Sequence, residues 1–135
     1  MWVLDTNTLI YFFKGEGRVA DTLFQHTPSD IGIPAVVLYE LHVGLAKSSS
    51  PGKRTEQLAD LTSAVQVLPF REAEARAAAR IRVALEGQGT PIGPHDVLIA
   101  GTALAHNATL VSRNTKGFGR VDHLKVENWY QHETP

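Results

Sequence analysis

Three carboxylates, Asp5, Glu40 and Asp96, lie on stretches that are otherwise apolar, where a charge is out of place. Asp5 closes the run Trp2-Val3-Leu4 and is followed by Thr6, Asn7 and Thr8 before a second apolar run, Leu9 to Phe13. Glu40 falls inside the stretch from Ala35 to Lys47, where its neighbours on a helical wheel are Val36, Val37, Val43 and Gly44. Asp96 follows Gly93-Pro94 and shares a helix face with Ile99, Ala100 and Ala103. An unpaired charge buried on such a face is costly, and three acids brought together repel one another unless a cation sits among them. Hard oxygen donors of this kind suit Mg²⁺ or Mn²⁺ far better than zinc or copper. Ions held by a few carboxylates and several waters are the usual apparatus for phosphoryl-transfer hydrolysis.

The same residues also have structural explanations. Asp, Asn and Thr are all good helix caps; with Asp5 assigned to the site, Thr8 is the expected cap of the first helix. Glu40 could emerge at the rim of its buried face. Asp96, in the first turn of a helix, would complement the helix dipole.

The elements that must position these acids alternate in type. A strand ending at Asp5 leads to a helix from about Thr8, and a second helix is expected from Arg18 towards Gln25, burying Val19, Leu23 and Phe24. Thr27-Pro28-Ser29-Asp30 is a turn, Ile31-Gly32-Ile33 a strand, and Pro34 suits the first position of a helix reaching Lys47. Beyond the loop Ser48 to Gly52, helices are expected at Lys53–Ala64, Glu72–Glu86 and His95–His106, with strands at Val65–Pro69, Thr109–Val111 and Leu124–Glu127. Strands alternating with helices argue for a parallel sheet covered on both faces. Short continuous apolar strands fit burial on both sides. The fold class is α/β, with four to five short strands.

With 135 residues, the chain is expected to form one domain with a sufficient core of its own. There is no cysteine, which excludes disulfides and thiolate metal sites. No basic leader opens the chain and no apolar run approaches the roughly 20 residues of a membrane span, so a cytoplasmic protein is expected. The net charge of −1 gives no overall attraction for nucleic acid; contact with it requires a local basic patch.

The segments Val3-Leu4-Asp5-Thr6-Asn7, Pro34 to Gly44 with Glu40, Ile92-Gly93-Pro94-His95-Asp96-Val97-Leu98-Ile99-Ala100, Thr109 to Thr115 and Leu124 to Trp129 together resemble the PIN-domain ribonucleases, and within them the VapC-type toxins of bacterial toxin–antitoxin pairs. They occur in the family's order and span nearly the whole chain. The resemblance implies a three-layer α/β/α fold over residues 1–135, with Asp5, Glu40 and Asp96 converging around Mg²⁺ or Mn²⁺. It implies an endoribonuclease acting on RNA, held inactive by a cognate VapB-type antitoxin and forming a homodimer or a higher toxin–antitoxin assembly. By the same analogy Thr6, Asn7 and Ser112 help hold water and metal. Many members carry a fourth acid where this chain has Asn114, so a second metal would be held less firmly.

Arg113, Lys116 and Arg120, beyond the strand ending at Val111, are the basic residues expected to meet an RNA backbone, with Lys47, Lys53 and Arg54 behind them. Arg76, Arg80 and Arg82 are expected to be the solvated face of a helix. His95 is placed to line the cleft, whereas His26, His42, His106, His123 and His132 have no ligand-like spacing and are expected to be structural or exposed. The Leu9–Phe13 helix is expected to offer an apolar surface for dimerisation or antitoxin docking. Two other functions fit parts of the pattern. Asp5-Thr6-Asn7-Thr8 superficially resembles the nucleophile loop of a haloacid-dehalogenase-like phosphatase, although Asn7 replaces the proton-transferring acid. A non-catalytic module could instead receive a partner's arginine among the same acids.

Overall fold

The computed structural model describes residues 1–131; His132 and the expectation attached to it lie outside them. Five strands form one sheet in the order β3-β2-β1-β4-β5, and every neighbouring pair is parallel. The strands are β1 (Trp2–Leu4), β2 (Ile31–Pro34), β3 (Gln66–Leu68), β4 (Thr109–Val111) and β5 (Lys125–Glu127). The helices are α1 (Thr6–Lys14), α2 (Val19–Leu23), α3 (Ala35–Lys47), α4 (Gly52–Ala64), α5 (Glu72–Gly87), α6 (Pro94–Ala105) and α7 (Thr115–Phe118). Parallel strands need crossovers, and helices supply them here.

The central strands are buried because helices cover both faces: Val3, Leu4, Ile31, Ile33, Leu110 and Val111 are all inaccessible or nearly so. This matches their reading as unbroken apolar runs. Chain order runs outward from β1 to β3 and then restarts from β1 towards β5. The reversal makes the carboxyl end of β1 the topological switch point of the sheet, where a crevice opens. Asp5 is the residue immediately after β1.

α5 and α6 pack closely, through small residues. A Cβ added to Gly101 would come within 2.7 Å of the Ala78 backbone nitrogen and of its Cβ. That contact fixes α6, and with it Asp96 in the first turn.

Several local expectations need correcting. α1 starts at Thr6, not Thr8, and its cap is Asp5, whose Oδ1 accepts from the Thr8 N–H at 2.9 Å. Pro34 ends β2 and occupies the position just before α3, not the first helical turn. Phe24 is 77% exposed, in edge contact with Phe12 at 5.9 Å; α2 ends at Leu23, and only Val19, Thr22 and Leu23 face inward. α3 is less enclosed than its apolar composition suggests, with only Val37 and Leu41 fully buried. The short helix α7 was not anticipated.

Candidate active site

The three acids come from three elements and meet at the carboxyl edge of the sheet. Asp5 leaves the end of β1, Glu40 rises from α3 after β2, and Asp96 sits in the first turn of α6. Asp5 is buried, and burial pushes its carboxyl above the usual aspartate value. Hydrogen bonds from Ser112 and Thr8 pull it part of the way back, and the nearby Glu40 charge adds to the rise. Asp96 is half-buried and is likewise raised, first by burial and then by the charges of Asp5 and Glu40, against a smaller opposing effect of His95. Each acid therefore lies within the electrostatic reach of the other two.

Polar neighbours hold this arrangement. The Thr6 hydroxyl donates to Glu40 Oε1 at 2.7 Å, fixing the glutamate across the cleft. His95 Nδ1 lies 3.4 Å from Glu40 Oε2, and its ring packs edge-on against Tyr39. Ser112, at the end of β4, is buried, bonds Asp5 and accepts the Asn114 N–H at 3.0 Å. Thr8 is also buried: beyond its N–H bond to Asp5, its hydroxyl reaches the Val111 carbonyl at 3.2 Å. Asn7 is exposed.

Asn114 lines a hollow with Asp96, Lys116 and Arg120, so it stands at the site's edge. Its Oδ1, however, accepts the Gly117 N–H at 3.1 Å and caps α7. Arg113 does not line this hollow with Lys116 and Arg120; its guanidinium sits 3.7 Å from the centre of the Tyr130 ring and 5.6 Å from that of Tyr11. Stacking against two aromatic faces is favourable in itself, and it ties the segment after β5 to α1. His26 is structural, its ring parallel to that of Trp129 with centroids 5.0 Å apart and also against Trp2. His106 lies 3.2 Å from buried Glu74.

The donor set tells against a soft or fully caged metal. Among the described residues no three acids or histidines close in tightly enough to enclose an ion by themselves. A Mg²⁺-like ion does not need such a cage, since it keeps several waters and uses one or two carboxylates. Two raised, mutually repelling aspartates with a third acid across the cleft fit that mode of holding.

An all-parallel sheet with acids gathered at its switch point defines an α/β nuclease-like architecture, and the family match agrees with it. Residues 2–124 match the PIN domain, and the chain belongs to that family. It is 34% identical over 128 residues to a protein of Shigella flexneri named tRNA(fMet)-specific endonuclease VapC, covering 95% of this chain and 97% of that one. Ribonuclease VapC2 of Rickettsia felis is 32% identical over 134 residues, covering 96% and 98% respectively. The crystal structure of VapBC2 from Rickettsia felis bound to a promoter DNA fragment superposes with a TM-score of 0.88 at 33% identity, over 95% of this chain and 98% of that one. Membership of the PIN family sets aside the phosphatase reading of Asp5-Thr6-Asn7-Thr8.

Proposed function

We propose that the chain is a single nuclease domain that hydrolyses phosphodiester bonds in RNA with Mg²⁺ or Mn²⁺, and that it is the toxin of a pair silenced by a VapB-type antitoxin. The convergence of Asp5, Glu40 and Asp96 from three separate elements at the switch point carries this reading. The relatives named as VapC ribonucleases cover nearly the whole chain and support it.

Asp5 and Asp96 are the direct ligands in this account, with Glu40 acting from across the cleft. When bound, the ion offsets charge on the phosphate oxygens and makes water a better nucleophile at neutral pH. The protein's own part is placement. Ser112 and Thr8 orient the Asp5 carboxylate, and Thr6 holds Glu40. Asn7, two residues beyond Asp5, is exposed and free to bond water or phosphate. Lys116 and Arg120 supply positive charge beside Asp96, where RNA phosphates would pass. Because the Asn114 Oδ1 is already engaged, a single ion is the simpler assignment.

The antitoxin and a second copy of the chain need apolar surface. The Phe12–Phe24 pair and Tyr39, which is 57% exposed, provide it. No described helix is long and apolar enough to cross a membrane, and the proposed place of action is the cytoplasm.

The test is cleavage of a defined RNA by the purified chain, with and without the protein encoded by the adjoining upstream reading frame. Cleavage should need added Mg²⁺ or Mn²⁺, stop in EDTA and be suppressed by that protein at stoichiometric amounts. Full cleavage in EDTA, with contaminating nuclease excluded, would overturn the proposal.

A further inference from the structure

Outside the acidic cleft lies a groove of about 500 Å³ between α5, the end of α6 and the turn joining α7 to β5. Its floor is apolar, built by Ala77, Ile81, Leu85, Leu104 and Val121. Three arginines, Arg76, Arg80 and Arg120, line it against a single acid, Asp122. In a chain of net charge −1 that is a local concentration of positive charge.

Arg76 is paired with Glu72, and Arg82, on the neighbouring face of α5, with Glu86. Among the described residues Arg80 and Arg120 have no carboxylate partner. Arg120 also lines the hollow that contains Asp96, Asn114 and Lys116. Arg120 therefore borders both the groove and the hollow beside Asp96.

We propose that this groove is an extended RNA-binding subsite, which holds single-stranded nucleotides flanking the bond to be cut. The inference rests on the nuclease reading of the acidic site. Planar guanidinium groups suit phosphate oxygens, and the aliphatic floor offers van der Waals contact to the face of a base. Arg76 and Arg80 stand one helical turn apart, about 6 Å along the axis, close to the spacing of successive phosphates in an extended strand. A strand whose scissile phosphate lies at Asp96 would meet Lys116 and Arg120 on its way to the groove.

The test uses the full chain in EDTA, so that binding is read without cleavage. The probes are fluorescein-labelled uridine oligoribonucleotides of about 4 and about 12 nucleotides, a range that spans typical single-strand site sizes. The longer probe should bind at least about tenfold tighter, since it alone reaches from cleft to groove. Arg80→Glu should remove most of that advantage and lower the slope of log affinity against log salt by about 1 to 2. Ala84→Trp, which fills the groove from an exposed position, should remove the advantage while leaving the charge unchanged.

A length advantage that survives both substitutions overturns the proposal. So does an equal loss for both probes, or a shift from dimer to monomer in Ala84→Trp with RNA affinity unchanged, which would make the groove a self-interface. The two readings fail separately. Metal-dependent cleavage with no length effect removes the groove alone, and length-dependent binding with no cleavage removes the nuclease.

Discussion

Asp5 carries two duties that a pair of substitutions can separate. Its Oδ1 caps α1 through the Thr8 N–H at 2.9 Å, and its carboxylate faces Glu40 and Asp96. Asparagine caps as well as aspartate, whereas alanine does not; the loss of an N-cap costs about 1 kcal/mol, within a range of about 0.5–2. For a domain of this size that lowers the melting temperature by about 3–5 °C. Asp5→Ala should therefore lose both stability and cleavage. Asp5→Asn should lose cleavage by at least about a hundredfold and keep or gain stability, because it removes one of three repelling charges.

The pH dependence carries the same signature. Burial raises the Asp5 carboxyl above the ordinary aspartate value of 3.8 in the folded protein. From that value up to the raised one, the folded chain holds more protons than the unfolded chain. Stability of the metal-free protein thus falls as pH rises through this window and stays low above it. Urea denaturation in EDTA from about pH 4 to pH 7 should show that fall in the parent and a flatter profile in Asp5→Asn. The reasoning is refuted if Asp5→Asn is as destabilised as Asp5→Ala, if it still cleaves RNA, or if stability of the metal-free parent rises through the window.

Other outcomes follow from single contacts. Thr6→Val removes the hydroxyl that holds Glu40 Oε1, and should lower kcat on RNA by about tenfold with little change in denaturation midpoint. Gly101→Ala drives a methyl group into the Ala78 backbone; calorimetry should show a loss of about 1–3 kcal/mol, and the shift of α6, which carries Asp96, should lower kcat per folded molecule. Asn114→Ala deletes the cap of α7 and should cost about 1 kcal/mol; an unchanged melting curve would contradict that assignment. Saturating Mn²⁺, at a hundred times its Kd, should stabilise the parent by about 2.7 kcal/mol and Asp96→Asn by much less, as read by thermal shift.

Strand–helix alternation and unbroken apolar strands made the parallel sheet legible, because both faces of it had to be covered. The acids were legible for the opposite reason, as charges on faces that should be dry. That criterion has limits, and Glu74 shows them. It is just as buried, yet its carboxylate serves the Arg71 N–H at 2.6 Å and His106 at 3.2 Å. Convergence on the switch point, which only the fold displays, separates it from Asp5.

The stacking of Arg113 was not legible because its aromatic partners Tyr11 and Tyr130 are remote in sequence. α7 was missed because four residues carry no periodicity, and its visible signal was Asn114 three residues before Gly117. The groove beside α5 was read as a solvated face. Arg76 and Arg80 share one face of the wheel and Arg82 falls on another, but only the packed turn at Arg120 shows that the first face borders a groove.

The most direct test of the account is the single-turnover rate of cleavage of an end-labelled RNA as a function of Mn²⁺ concentration, for the parent and for Asp96→Asn. The account predicts no cleavage in EDTA and a saturable rise with Mn²⁺ in the parent, and a maximal rate at least about a hundredfold lower in Asp96→Asn. Metal-independent cleavage, or an Asp96→Asn rate equal to that of the parent, would contradict it.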